Sequence, residues 1–239
     1  MPSNCLPAAH DERLEQKRKE MELADVILVA GRYVEATVRE FYLHKAIARA
    51  PYGVDVGFWT PMPTEKQSES LRFIYAGTIS VRKGVALLID VWSKAGLRDA
   101  DLTVVGSWEL AEGKLRSLPV GIRWLPPCSS QALRDQYRES HVLVFPSYFD
   151  GFGLVLLEAM ACGLPAIASE ASIGPEIITS GCGFITSTGD LDRLVELLRW
   201  FDCHRDELPV MSRQARAQAK RCTWSNYRSS VLRALSKLV

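Results

Sequence analysis

A chain of 239 residues, 47% hydrophobic and 24% charged, carries enough apolar material for one large core and the charge content of an ordinary globular protein. Its formal net charge of +1 excludes the strong field that would draw nucleic acid or a polyanionic substrate. The six cysteines (Cys5, Cys128, Cys162, Cys182, Cys203 and Cys222) form no C-x-x-C pair and accompany no spaced histidines, which argues against a zinc site and predicts reduced, mostly buried thiols.

The N-terminal segment MPSNCLPAAHDERLEQKRKE is charged where a signal peptide has an apolar run. No stretch approaches the roughly 18 apolar residues of a membrane span, and the expected location is the cytoplasm. Residues 10–23 read as an exposed helix bearing both signs of charge, and Asp25 to Ala30 as a fully buried strand closed by Gly31. Residues 32–48 have a helical pattern. Residues 51–70, with prolines, glycines and a polar tail, read as a linker.

From Leu71 the pattern becomes regular. RFIYAG, DLTVVG, GIRWLP, HVLVFP, LPAIAS and CGFIT are apolar runs of strand length, separated by five helical segments. Strands alternating with helices predict β-α-β units, and right-handed crossovers turn these into a doubly wound, mainly parallel α/β sheet of Rossmann type. After Trp200 the strands stop. Residues 204–221 and 224–238 read as two helices broken around Cys222 and Thr223, with eight Lys or Arg against Asp206 and Glu207. That basic face is either simply solvated or a contact for an anionic membrane surface or another domain.

The chemistry concentrates in VLVFPSYFDGFGLVLLEAMACGLPAIAS, residues 142–169. It reads as a buried strand, a turn, a glycine-bracketed loop, a helix and a second strand. Glu158 is the only charged residue of the helix, and a lone carboxylate there is costly to bury without a partner. Glycine turns follow three of the strands: Gly77 with Lys83 and Gly84, then Gly106, then Gly151 and Gly153. Backbone amides opening a helix at such turns attract anions, and several at one sheet edge suggest a diphosphate. Neither G-x-G-x-x-G nor a P-loop motif is present. Asp150 reads either as a cap or turn residue or as an acceptor for a polyol; Glu158 reads either as a buried acid satisfied by backbone or as a second such acceptor. The triplets Asp99–Asp101 and Asp190–Asp192 sit at element ends, where solvated caps are expected rather than metal ligands. His141 opens a strand with no visible partner.

The stretch FPSYFDGFGLVLLEAMACGLPAIAS resembles the signature of the retaining group 1 (family 4) glycosyltransferases of GT-B fold. ADVILVAGRYV, APYGVD, YAGTISVRKGV, LTVVG, IGPEI, CGFI and TWSNY fall in that family's order. The resemblance runs from about Ala24 to the C-terminus and implies a C-terminal donor-binding domain with a remnant of the N-terminal one. The implied divisions are 1–50 as that remnant, 51–70 as linker, 71–202 as the nucleotide-sugar domain and 203–239 as helices packing back. Glu158 matches the glutamate that holds the ribose hydroxyls. Asp150 matches the residue that contacts the donor sugar, with Gly151, Phe152 and Gly153 along sugar and phosphate. Lys83 matches the lysine on the diphosphate. Gly77, Thr78, Gly106 and Leu154 complete the implied donor-binding set. The implied ligand is a nucleotide-diphosphate sugar, UDP- or GDP-linked, with no metal and no cofactor. The glycosyl group would pass with retention to a sugar, lipid-linked or other acceptor.

Three residues depart from the pattern. Asp150 is one methylene shorter than the usual glutamate, about 1.5 Å of reach. Thr78 stands where many relatives carry an arginine, and Pro126 where a glycine is common. Because the acceptor half of the fold is so short here, the alternative is a non-catalytic nucleotide-sugar binding module that works with a separate N-terminal-domain chain, peripheral to a membrane or not.

Overall fold

The computed structural model describes residues 8–62 and 70–236. Residues 1–7, the polar tail of the linker at 63–69 and the last three residues lie outside that description. The core is a six-stranded, wholly parallel sheet made of β3 (Leu71–Ala76), β4 (Ala100–Val105), β5 (Ile122–Leu125), β6 (Val142–Phe145), β7 (Ala166–Ser169) and β8 (Gly183–Thr186). Each of the six apolar runs forms one strand. β6 and β7 are buried at every position, as strands covered by helices on both faces must be. The covering helices are α3 (Val85–Ala95), α4 (Glu112–Arg116), α5 (Ser130–Glu139), α6 (Leu154–Ala161), α7 (Gly174–Ile177) and α8 (Leu191–Cys203).

The spatial order is β5-β4-β3-β6-β7-β8. The chain therefore builds outward from β3 in one direction, then returns to build outward from β6 in the other. In doubly wound sheets that reversal opens a crevice at the carboxyl ends of the two central strands. Here β3 and β6 are in register only at Phe73 with Val142 and Ile74 with Leu143, and they part beyond that point. His141, which shows no partner in the sequence, closes the lower end: its backbone N–H donates to the Arg72 carbonyl at 2.7 Å and its Nδ1 accepts from the Arg72 amide at 2.9 Å. The imidazole extends the ladder by one bond that the backbone alone would not make.

The N-terminal part departs from the reading of its sequence in two places. The helical pattern over 32–48 resolves into α2 (Arg32–Phe41) and a strand, β2 (Ala46–Arg49). The Tyr42 amide closes the helix on the Val38 carbonyl, and Ala46–Arg49 pairs in parallel with β1 (Val26–Val29), Ile47 opposite Ile27. Pairing and the burial of Ile27 override the helical propensity of the two alanines. β1 is not fully buried: Ile27 and Val29 are, but Leu28 between them is 41% exposed, because only one face of the pair is covered. α1 (Ala8–Leu23) precedes this unit. The thiols also differ from expectation. Cys162 and Cys182 are buried and Cys222 half-buried, whereas Cys128, in the loop before α5, and Cys203, on the outer side of α8, are exposed; Cys5 lies outside the described residues.

Residues 51–62 look like a flexible linker in composition, yet Val54 and Trp59 are buried. Arg216 on α9 (Leu208–Ala219) donates to the carbonyls of Val56 at 2.8 Å, Trp59 at 2.6 Å and Ala161 at 2.6 Å. Arg134 reaches the Phe58 carbonyl at 3.2 Å and Arg138 the Thr60 carbonyl at 2.8 Å. A planar guanidinium with five donors suits a segment whose carbonyls have no ladder to join. The start of the segment is stapled to the break between α9 and α10 (Trp224–Leu235): the Val54 amide donates to the Cys222 carbonyl at 2.9 Å, and a Cβ on Gly53 would fall 2.1 Å from the Trp224 nitrogen. Thr223 caps α10 through the Asn226 amide at 3.2 Å.

The N-terminal unit meets the large sheet at Glu176 of α7. Its Oε1 accepts from the Arg32 amide at 2.6 Å, and its Oε2 lies 3.5 Å from Arg49 Nη1 and 3.8 Å from Arg32 Nε. Gly31, the N-cap of α2, has no side chain to satisfy the helix, so the carboxylate caps it from 144 residues away. Arg216→Ala should leave several carbonyls unpaired and cost about 2 kcal/mol or more, a drop in melting temperature of about 5 °C. Glu176→Ala should cost about 1 kcal/mol while Glu176→Gln, which keeps an acceptor at the helix end, costs less; equal losses in calorimetry would show that the cap contributes nothing beyond charge.

Candidate active site

β3 and β6 end side by side, and each feeds a glycine turn that opens a helix. After β3 the chain passes through Gly77, at φ 134°, and reaches α3 through Gly84, at φ 72°. After β6 it turns at Pro146 and Ser147 and reaches α6 through Gly153, at φ 88°. Such φ values favour glycine. Space imposes a second demand at Gly84 and Gly106: a Cβ on Gly84 would lie 2.0 Å from the Pro146 carbonyl oxygen, and one on Gly106 would lie 1.9 Å from that of Gly77. The two loops are thus in backbone contact. They are locked by the Tyr148 amide donating to the Arg82 carbonyl at 2.9 Å and by Arg82 Nη1 donating to the Phe149 carbonyl at 3.0 Å, a carbonyl that also accepts from Ser147 Oγ of its own loop at 3.0 Å.

Above the parted strands lies a cavity of about 550 Å³. Gly77, Thr78, Lys83, Asp150, Gly151, Phe152, Gly153 and Leu154 all line it, so eight of the ten residues singled out in the sequence converge on one space. Gly106 and Glu158 are not on its wall. Gly106 instead gives Gly77 room, with its carbonyl accepting from Trp124 Nε1 at 2.9 Å. Leu28, Val29, Ala30, Val34 and Tyr52 also line the cavity; they fall in the family-like stretches ADVILVAGRYV and APYGVD, but none is singled out there as a site residue, because they face it only once the N-terminal unit has docked. Tyr75 and Phe145, the strand-end aromatics, also border it; the Tyr75 hydroxyl donates to the Thr78 carbonyl at 2.7 Å and fixes that turn. Burial, reinforced by the nearby Asp150 carboxylate, pushes the Tyr75 phenol well above its usual pKa and keeps it a neutral donor.

Lys83 and Asp150 form an ion pair on the cavity wall, with side chains 15% and 14% exposed. The other carboxylate oxygen of Asp150 accepts from the Phe152 amide at 3.1 Å, the turn contact expected of an aspartate in that loop. Lys83 Nζ also lies 5.8 Å from the centre of the Phe145 ring. Glu158 differs from Asp150. It sits mid-helix and half-buried, and its carboxylate has no hydrogen-bond partner among the described residues, so burial raises its pKa to about 7. The nearby Tyr137 phenol, wholly buried and also without a partner among the described residues, is pushed up by burial and then by Glu158.

The D-x-D triplets do other work. Asp190 caps α8 by accepting from the Arg193 amide at 2.9 Å, and Asp101 accepts from Ser70 Oγ at 3.1 Å. No cluster of three or more His, Cys, Asp or Glu suited to a metal ion occurs among the described residues, and no helix among them is long and apolar enough to cross a membrane.

Comparison with known proteins gives this arrangement a family. A family model described as glycosyl transferases group 1 matches residues 61–218, well over half of the chain. The GDP-mannose-dependent monoacylated alpha-(1-6)-phosphatidylinositol monomannoside mannosyltransferase of Corynebacterium glutamicum is 29% identical over 198 residues, 73% of this chain and 52% of that protein. Among solved structures, sucrose-phosphate synthase from Thermosynechococcus elongatus superposes with a TM-score of 0.82 at 22% identity, covering 95% of this chain and 62% of the other. Anabaena HepE, solved with UDP and glucose, superposes with a TM-score of 0.78 at 17% identity, covering 96% and 67%. The chain spans about half the length of the first of these relatives. The parallel sheet, its strand order and the family match over residues 61–218 together establish that this chain belongs to the glycosyl transferases group 1 family, with a GT-B-type Rossmann-like domain.

Proposed function

We propose that this chain is the donor-binding part of a retaining glycosyltransferase of family 4 type, taking a nucleoside diphosphate sugar without a metal ion. The observation that carries the reading is the convergence of Lys83, two glycine turns and the Asp150–Leu154 loop on one cavity at the strand-order reversal. A fixed cation, together with amides at the start of α6, suits the diphosphate, which gains charge as the bond from the sugar's anomeric carbon to phosphate breaks. Asp150 suits the sugar hydroxyls. Glu158 suits the ribose, because two vicinal hydroxyls would give an unpartnered carboxylate the donors that the protein does not. Thr78 leaves Lys83 without the paired arginine that many relatives carry, and Arg82, next in sequence, spends its guanidinium on the Phe149 carbonyl. The GDP-mannose-dependent mannosyltransferase and the UDP-bound HepE structure support GDP- and UDP-linked donors alike. The acceptor is a sugar or lipid-linked molecule, and the site of action is the cytoplasm or its membrane face.

A ligand that binds only the native state raises its stability. Thermal unfolding with UDP, GDP and ADP at millimolar concentration is therefore expected to show a rise in melting temperature with at least one of them, and Glu158→Ala is expected to abolish it in a protein that still folds. No rise with any nucleotide would overturn the donor-site reading; an undiminished rise in Glu158→Ala would overturn the ribose assignment alone. Turnover of UDP-glucose or GDP-mannose by the purified chain separates an enzyme from a binding module.

Glu158 also makes a prediction about pH. Its folded pKa of about 7 lies above the ordinary 4.5, so between those values the native state holds more protons than the unfolded one and stability falls as pH rises through the window. Glu158→Gln, which removes the penalty, should be more stable than the parent at pH 8 by up to roughly 3 kcal/mol. The gap should close below about pH 5. Denaturant titrations at the two pH values measure it, and a gap independent of pH would show that the carboxyl is not perturbed.

A further inference from the structure

The two charged groups on the cavity wall satisfy each other. Lys83 and Asp150 lie 67 residues apart in the chain and pair on the wall of the cavity where a ligand would sit. The pair is not needed to hold the two loops together. Backbone and side-chain bonds between Arg82, Ser147, Tyr148 and Phe149 already do that, and the Asp150 amide is separately tied to the Ala171 carbonyl at 3.0 Å. It can therefore open without unravelling the site. Opening has an energetic consequence, since each charge is mostly withdrawn from water and loses its counter-charge.

Two ligands would meet that cost differently. On the donor-site reading above, on which this inference rests, a nucleoside diphosphate sugar offers phosphate to Lys83 and hydroxyls to Asp150, and so replaces both halves of the pair. A bare nucleoside diphosphate takes Lys83 and gives Asp150 nothing. The carboxylate is then left beside added negative charge, with only the Phe152 amide as donor. We propose that the Lys83–Asp150 pair is the element by which this site discriminates the glycosylated donor from the bare nucleoside diphosphate, Asp150 competing for the lysine whenever no sugar is present. The same competition favours release once the sugar has left: the pair re-forms and takes the cation back from the diphosphate.

The test is direct binding of UDP against UDP-glucose and of GDP against GDP-mannose to the whole chain, its Asp150→Asn and Lys83→Gln variants and the double variant. Asparagine keeps an acceptor for the Phe152 amide, so the loop is preserved, which unchanged near- and far-ultraviolet circular dichroism checks even where the lost ion pair lowers the melting temperature. The parent is expected to prefer the glycosylated ligand. Asp150→Asn should bind the bare diphosphate about tenfold more tightly than the parent, the scale of one charge-assisted hydrogen bond, and the glycosylated ligand no more tightly. On the Lys83→Gln background the same change should have no such effect, because there is no cation to release. A bare diphosphate bound no better by Asp150→Asn, or both ligands tightened equally, overturns the inference while leaving the donor site standing. A parent that binds neither pair of ligands overturns the donor-site reading and this inference with it.

Discussion

Everything chemical in this molecule sits above one constraint: two neighbouring parallel strands that share a register for only two residues and then part. β3 and β6 are adjacent because the chain reverses its direction of growth between them, so no crossover helix covers the gap at their carboxyl ends. The lower end is held shut by His141 against Arg72. The upper end is held open by two glycine turns, whose backbones touch where Gly84 meets Pro146. A larger residue at Gly84 would drive these turns apart, and one at Gly106, in the turn after β4, would push on Gly77 in the turn after β3, so the glycines preserve the shape of the crevice even where, as with Gly106, they do not border it.

The electrostatics of the crevice follow from what each charge can find nearby. Asp150 finds a cation and an amide, and Lys83 finds a carboxylate and an aromatic face. Both are neutralised within the protein. Glu158 finds neither, and its raised pKa expresses that lack. The cavity wall thus carries an ion pair, while α6 carries, off that wall, an acid with no partner among the described residues. Of the two, only the acid is a cost to the folded state, since its charge is withdrawn from water with no counter-charge.

Short sequence stretches that carry no chemistry prove to be docking contacts. Residues 51–54 lie against the break between α9 and α10, where Tyr52 packs on Trp224, Tyr227 and Phe152, and Gly53 leaves room for the Trp224 backbone. Glu176 caps α2 and pairs with arginines of the N-terminal unit. Three arginines hold residues 56–60 against the large sheet's helices. These contacts bring Leu28, Val34 and Tyr52 over the cavity and so complete its wall.

Features that depend on neighbours within a few residues were legible in the chain itself. The six apolar runs are the six strands, because a sheet covered on both faces draws its strands from apolar stretches, wholly so in β6 and β7, and the turn after β6 is written in Pro146, Ser147, Asp150 and the flanking glycines. Eight of the residues that line the cavity were marked in the sequence through the family resemblance, since a glycine turn or an aspartate cap taken singly has a plain structural reading. The tertiary structure decided what depends on distant partners. Ala46–Arg49 becomes a strand only because β1 lies beside it, and Leu28 stays exposed because the pair is covered on one face. Arg216 is one more surface cation in the sequence until three carbonyls surround it. Lys83 and Asp150 could each be singled out by position, but that they neutralise one another is a fact of strand order, since only the reversal between β3 and β6 brings their loops face to face.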